Sequence, residues 1–440
     1  MAERTSRLVR PVVALASVGL AVSLAACGGG GGSGDTGGTG GAAAPAVDTP
    51  GVTDTTITVG THQPLTGPAA AGYSTISKAT KAYFDYVNSK GGVYGRKIEY
   101  TVKDDGYNPA NTQKVVRELV LQDKVFGILN GLGTPTHTGV LDFLKTNKVP
   151  DLFVASGSLN WNQPTKYPNT FGFQADYTTE TKISGTYIKE NLAGKKVCFF
   201  GQDDDFGRDA LKGLTLILGE DGVGERQTYV TSNPNVAPQI GKFKDAGCEV
   251  VQLATVPPFT ALAIGTAAKL GFKAQWISTS VGADLPTLKG VLGEAAPLLE
   301  GVLATNYLPS SFDATDPWTK IYMDINKEFN GDAPFTGNTV YGMSVGYLFV
   351  EALQANGKDL TRESIQKSIE SGKLKGSAMT PLRFSAEDHT GYSGARMSRI
   401  EGDQSVYFGP VYVTDDSDAA PTEFTDAPVA PPADGIPTAG

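Results

Sequence analysis

Residues Phe126 to Thr138 read Phe-Gly-Ile-Leu-Asn-Gly-Leu-Gly-Thr-Pro-Thr-His-Thr, and their types suit the capture of a small polar or anionic group. The apolar run Phe126 to Leu129 predicts a buried parallel strand. A loop with Gly131 and Gly133 follows, then the hydroxyls of Thr134, Thr136 and Thr138. Val140, Leu141, Phe143 and Leu144 next recur at helical spacing. Strand, polar loop and helix N-terminus together form the place where open α/β sheets hold small ligands. A connecting loop whose glycines only make a turn has the same pattern. Other chemistry finds little support. His62, His137 and His389 are far apart and none has metal-ligand spacing, so each reads as a surface or hydrogen-bonding residue. Gly131-Leu132-Gly133 starts like a dinucleotide fingerprint, but Thr136 takes the third glycine's place and no acid follows about 20 residues on at a strand end. The one Gly-x-Ser-x-Gly, Gly342 to Gly346, falls inside the helix predicted at Asn338 to Asn356 and so is no strand-to-helix elbow; Cys198 reads as structural, and Asp203-Asp204-Asp205 reads as a solvated acidic loop. The chain reads as a binder without cofactor or metal, not as an enzyme.

The elements that must position the loop alternate. Thr56 to Gly60 predicts a strand, followed by the turn Leu65-Thr66-Gly67-Pro68 and a helix with Ile76, Ala79, Tyr83, Tyr86 and Val87 on one face. Ile98 to Val102 is a second strand. Asn108 then caps a helix that opens at Pro109 and leads into Phe126. Val149 to Val154 is a strand ending in Ala155-Ser156-Gly157-Ser158. A second alternating run covers Lys195 to Ser278. Long helices at Pro317 to Phe329, Asn338 to Asn356 and Arg362 to Ser371 come next, then strand-like pieces to Val413. Such alternation predicts parallel sheets with helices on both faces. After Thr414 the Asp, Ala, Pro and Thr content predicts a disordered tail.

Length and composition, 440 residues with 40% hydrophobic and 19% charged, suit a globular protein of two or three domains. The start is built for export: Arg4, Arg7 and Arg10 precede an apolar run from Pro11 to Ala26. It ends Leu24-Ala25-Ala26-Cys27, which resembles the lipobox of bacterial lipoproteins, where Cys27 would carry the lipid. The Gly-rich stretch after it is a flexible tether. Loss of residues 1–26 removes three arginines and one glutamate, a net +2, and takes the charge from −9 to −11. That acidity, with no basic run, argues against nucleic acid as a partner. Cys198 and Cys248 remain; in an oxidising compartment they pair if their strands are neighbours, and otherwise they are two buried thiols.

Several motifs occur in a telling order: Leu65-Thr66-Gly67-Pro68, Asn88-Ser89-Lys90-Gly91-Gly92-Val93-Tyr94-Gly95, and Asp104-Asp105 with Asn108-Pro109. The stretch Phe126 to Thr138, Val149-Pro150 and Ala155-Ser156-Gly157-Ser158 come next. Asp203 to Gly207, Lys269-Leu270-Gly271-Phe272 and Met379-Thr380-Pro381-Leu382-Arg383-Phe384 complete the series. Over residues 55–413 the chain resembles the periplasmic branched-chain amino-acid-binding (Leu/Ile/Val-binding) family, the type I solute-binding proteins of ABC importers. The resemblance implies an α/β fold of two Rossmann-like lobes with parallel sheets, joined by a three-stranded hinge. Its expected layout is a signal peptide at 1–26, a tether at 27–53, lobe 1 at 54–174 and 308–392, lobe 2 at 175–307 and 393–415, and a disordered tail at 416–440. It also sets Cys198 and Cys248 on adjacent strands of lobe 2. The family's usual lobe 1 disulfide is absent, with Gly106 and Gly133 in its place.

By the same resemblance Thr134 offers hydroxyl and amide to a ligand carboxylate, and Ala155, Ser156 and Gly157 line the same lobe. Tyr73 covers the side-chain pocket, and Phe206 replaces a tyrosine on lobe 2. One departure stands out. Amino-acid binders of the family pair the ligand ammonium with an acid on lobe 2, where this chain has Ser280, and an expected aromatic falls on Val256, with Phe259 three residues on. A buried ammonium without a carboxylate is costly. Either Asp284 or Asp176 supplies the charge, or the ligand lacks an α-amino group and is a small carboxylate, amide or aromatic acid. The implied function is an extracytoplasmic, lipid-anchored receptor that delivers a small organic ligand to an ABC permease. The alternatives are a sensor that signals to a membrane partner, and an exported α/β enzyme.

Overall fold

The computed structural model describes residues 49–438; the export segment, Cys27 and the tether as far as residue 48 lie outside them. Five strands form the first sheet: β1 (Thr56–Gln63), β2 (Lys97–Asp104), β3 (Ile128–Leu129), β4 (Asp151–Val154) and β5 (Thr170–Gly172), in the order β2-β1-β3-β4-β5. All pairs are parallel. Helices Ile76–Ser89 and Pro109–Leu121 return the chain between the first three strands, so hairpin pairing is impossible there. Both sheet faces are covered, and β3 and β4 are accordingly buried throughout.

The second sheet has eight strands: β6 (Val197–Gln202), β7 (Arg226–Tyr229), β8 (Val250–Ala254), β9 (Gln275–Ser278), β10 (Leu303–Asn306), β11 (Gly394–Glu401), β12 (Gln404–Val413) and β13 (Thr422–Phe424). Their order is β13-β12-β11-β10-β9-β8-β6-β7. This sheet is mixed: β6 to β10 are parallel, while β11, β12 and β13 run antiparallel to their neighbours. The cause is local, because only Gly402 and Asp403 separate β11 from β12, and so short a link permits only a hairpin.

The late helices belong to the first sheet's side. Helix Gly337–Asn356 packs so closely on Ile76–Ser89 that a Cβ on Gly342 would lie 2.3 Å from the Ile76 carbonyl oxygen. Thr80 donates to the Gly342 carbonyl (2.8 Å), and Arg362 reaches the carbonyls of Phe126 and Val125 (2.9 and 2.8 Å). Between β1 and β13 the chain therefore crosses between the two sheets three times. Phe173, Tyr307 and Tyr392, one from each crossing, pack ring to ring with centroids 5.5–6.4 Å apart.

Two expectations need correction. The end of the expected tether is docked, not free: Gly51 accepts from Thr58 N (2.7 Å) and Thr49 is buried. The tail expected to be disordered is ordered from 416 to 438. Its β13 extends the second sheet, and beyond that Trp318 Nε1 donates to the Val429 carbonyl (2.6 Å) and the Tyr83 hydroxyl to that of Gly435 (2.7 Å). Low apolar content did not prevent docking, because buried tyrosine and tryptophan donors needed acceptors and the tail's backbone carbonyls supply them.

Candidate functional site

Between the sheets lies a cleft of about 1000 Å³, its open mouth included, lined from both sides. On the first side Thr134 begins the single-turn helix Thr134–Thr138, and Gly133 precedes it at φ +106°, a conformation that strains any side-chain-bearing residue. Thr134 Oγ1 lies 2.7 Å from Ser156 Oγ, to which the Tyr177 hydroxyl donates (3.3 Å), while Trp161 Nε1 fixes the Ser156 carbonyl (2.8 Å). Burial pushes the Tyr177 phenol up to about 12, so it keeps its proton and donates at neutral pH. The result is a cluster of three hydroxyls at the base of the cleft, with no formal charge.

Tyr73, Thr134, Ala155, Phe206, Val256, Ser280 and Asp284 all line the cleft. The Phe206 ring lies 4.2 Å from Tyr177, centroid to centroid, and the Tyr73 hydroxyl donates across to the Val281 carbonyl (2.8 Å). Ser156 and Gly157 stand behind the surface, Ser156 acting through its bond to Thr134. Phe259 is turned away and stacks on Tyr229 (4.1 Å). Asp176 does not reach the cleft either. It is buried as the cap of helix Tyr177–Asn191, held there by Thr179 N (2.8 Å) and Thr179 Oγ1 (2.7 Å), and is not among the residues that line the cleft. Cys198 and Cys248 are bonded, with Cα atoms 5.9 Å apart, on the far part of the second sheet.

No Lys, Arg or His lines the cleft among the described residues, and Asp284 is its one carboxylate. Asp284 caps helix Leu285–Leu292 through Oδ2, which accepts from the amide and hydroxyl of Thr287. Its Oδ1 has no hydrogen-bond partner, nor has the neighbouring Asn338 Nδ2. Burial pushes the Asp284 carboxyl up, opposed by Thr287 and by the Gly337 and Asn338 amides across the cleft.

A carboxylate that motif reading missed sits behind Ser280. Glu180 is fully buried and accepts from Ser280 N (2.7 Å), Ser280 Oγ (2.8 Å) and Thr305 Oγ1 (2.5 Å). Desolvation outweighs these bonds and pushes its carboxyl up to about 7. Also missed were Tyr107, Tyr177 and Tyr341, which contribute much of the aromatic lining. Tyr341 reads as a core residue because it shares a helical face with Val345 and Leu348, and nothing in its spacing marks the helix's cleft-facing end.

The two sides already touch. Ser158 Oγ and Leu159 N donate to Asp209 Oδ2 (2.8 and 3.0 Å), Asn160 Nδ2 donates to Asp205 Oδ2 (2.8 Å), and Gln202 Nε2 to the Tyr107 hydroxyl (3.3 Å). The histidines are hydrogen-bonding residues, as one of the two expected roles had it, and not surface ones: His62 and His137 are fully buried and meet at 2.9 Å beneath the cradle, and His389 Nδ1 lies 2.9 Å from the Thr170 carbonyl. Among the described residues no group of His, Cys, Asp and Glu is arranged to hold a metal.

A profile of the periplasmic binding protein family matches residues 56–405. The Leu/Ile/Val-binding protein homolog 2 of Brucella abortus is 28% identical over 260 residues, 57% of this chain and 66% of the relative, just under two thirds of that protein's length. The Leu/Ile/Val-binding protein homolog 1 of Brucella suis is 24% identical over 325 residues, covering 72% and 84%. Among solved structures, a branched chain amino acid ABC transporter protein from Thermus thermophilus with bound valine superposes with a TM-score of 0.72 at 22% identity, covering 83% of this chain and 98% of that one. A fatty acid ABC transporter substrate-binding protein from Thermomonospora curvata gives 0.74 at 21%, covering 84% and 96%. These likenesses establish the fold.

Proposed function

Because this chain belongs to the periplasmic binding protein family, we propose that it is the extracytoplasmic receptor of an ABC importer, held to the outer face of the membrane by lipid on Cys27. It captures a small organic carboxylate or amide between its lobes and presents it to the permease. In this reading lobe 1 comprises 54–174 and 308–392, and lobe 2 comprises 175–307 and 393–415. Closure couples binding to delivery, since only the closed form offers both lobes in one docking geometry.

One observation carries the ligand reading: a hydroxyl cluster of Thr134, Ser156 and Tyr177 in a cleft without cations, whose one carboxylate is engaged as a helix cap. Hydroxyls and loop amides hold a ligand carboxylate without requiring a buried cation. An α-ammonium is less well served. Ser280 stands where the pairing acid is expected, and Glu180 behind it is fully buried and bonded to Ser280 and Thr305. Asp284 Oδ1 and Asn338 Nδ2 suit a neutral group able both to donate and to accept, such as an amide. Tyr73, Ile76, Leu132, Phe206 and Tyr341 suit an apolar body. The relatives bracket the choice, one carrying valine and another named for fatty acids.

Native mass spectrometry of protein purified without unfolding identifies what occupies the cleft. Calorimetry then compares valine with 3-methylbutanoate, the same skeleton without the amine. The carboxylate should bind more tightly. Tight valine binding that survives Asp284→Ala would refute the charge argument.

A further inference from the structure

Beneath the ligand loop, four ionisable side chains from four separate segments form a single file. Asp105 Oδ2 lies 2.7 Å from His62 Nδ1, His62 Nε2 lies 2.9 Å from His137 Nδ1, and His137 Nε2 lies 2.9 Å from Asp151 Oδ2. All four are fully buried. The ends are tied down: Asp105 also accepts from Thr112 Oγ1 and Tyr107 N (both 2.9 Å), and Asp151 from Thr170 Oγ1 (2.9 Å). The imidazole planes lie within 15° of each other, and the Trp161 ring closes the remaining side of His137 edge-on at 5.2 Å.

Three contacts link these four groups, and each needs one proton. Two neutral imidazoles carry two. With only two, either the facing ring nitrogens oppose lone pair to lone pair at 2.9 Å, or a carboxylate faces a bare nitrogen. We infer that His62 and His137 hold one extra proton in this file and that, through it, they position the ligand loop and favour an anionic ligand. The inference rests on the reading of the cleft as a carboxylate site. Whichever atom holds the proton, two carboxylates and one added proton leave a net charge of −1; without it the file is −2.

The coupling to the loop is geometric. Gly131 lies directly over the junction, where an added Cβ would stand 2.5 Å from both His137 Nδ1 and His62 Nε2. Leu132 N donates to the His62 carbonyl (3.2 Å), and His137 N to the Gly133 carbonyl (3.0 Å). His137 shares its single helical turn with Thr134, so displacing the imidazole moves the hydroxyl that meets the ligand. Loss of the proton therefore acts twice, by repulsion at the junction and by added negative charge below an anion. Among the groups acting on His62, burial comes first and lowers its pKa below the ordinary value, with the His137 ring acting in the same direction; Asp105 and Asp151 oppose them. Burial therefore makes His62 give up its proton more readily than an ordinary imidazole, and the proton is lost as pH rises.

Long-range 1H–15N spectra of the intact 15N-labelled protein, recorded without ligand, count the protons directly. His389→Gln identifies the third histidine's signals. Three protonated nitrogens on His62 and His137 are expected in mild acid, falling to two in mild alkali. The amide signals of Gly131 to Thr134 should shift with the same midpoint. With 3-methylbutanoate as probe, binding should weaken about threefold or more over that range, and His137→Asn should abolish the dependence. Two protonated nitrogens throughout would overturn the shared proton. Loop amides that ignore its loss would overturn the coupling. Neither readout needs a ligand, so failure of the carboxylate reading shows separately, as absence of probe binding at every pH.

Discussion

Glu180→Gln should stabilise the protein above neutral pH and leave it nearly unchanged in mild acid. The carboxyl is fully buried, and burial raises it from 4.5 to about 7. Between those values the folded state binds a proton that the unfolded state has released, so stability falls as pH rises from about 4.5 to about 7 and stays lowered above. The span of about 2.5 units corresponds to about 3 kcal/mol at pH 8, at about 1.4 kcal/mol per unit. Glutamine fits the same contacts. Its Oε1 can accept from Ser280 N and Thr305 Oγ1, as one carboxylate oxygen does now, and its Nε2 can donate to Ser280 Oγ, which is free to turn. With 390 described residues (49 to 438) and about 2 cal/mol/K per residue, 3 kcal/mol amounts to about 4 °C in Tm. Thermal and urea unfolding of both proteins, from about pH 4.5 to about pH 8, measures the gap. A gap that opens with pH supports a desolvated acid behind Ser280. A constant gap, or a variant less stable at pH 8, means that Glu180 is ionised and sustained by its hydrogen bonds, and the electrostatic account of this lobe is then wrong.

Three further outcomes are expected. Thr134→Val removes the hydroxyl from the three-member cluster and leaves Ser156 without that partner; calorimetry with the native ligand should show about tenfold weaker binding or more, and unchanged affinity would remove Thr134 from the site. Opening the Cys198–Cys248 bridge by a double change to serine frees a 50-residue separation, costing about 4 kcal/mol on chain-entropy grounds; denaturant midpoints that do not move would show the bridge to be energetically idle. Ending the chain after Ser417 deletes β13 and the carbonyls that receive Trp318 and Tyr83, and should lower stability by about 2 kcal/mol or more. An unaltered melting curve for that truncation would mean that the tail's contacts do not persist in solution.

The α/β fold was legible from the chain because its information is local. Apolar runs bounded by glycine mark buried strands, Asn108-Pro109 marks a helix start, and helix Pro317–Phe329 has the bounds its periodicity implied. Motif order indicated the family, and Thr134 could be singled out because strand, glycine loop and hydroxyl follow one another in sequence. The charge pattern of the site was not legible. Asp176 and Glu180 lie four residues apart on one helix, both are buried, and the one that reaches Ser280 is Glu180, because its partners Ser280 and Thr305 arrive from segments about 100 and 125 positions away. His62 and His137, 75 positions apart and unremarkable alone, become a proton-holding pair only when β1 and β3 set their loops side by side. The tail looked disordered because its own composition cannot build a core, yet it docks where other segments leave donors unmet. Sequence determines which groups exist and the local shape of the chain around them. Burial and pairing decide which of those groups are charged and which are free to bind, and both depend on neighbours that only folding supplies.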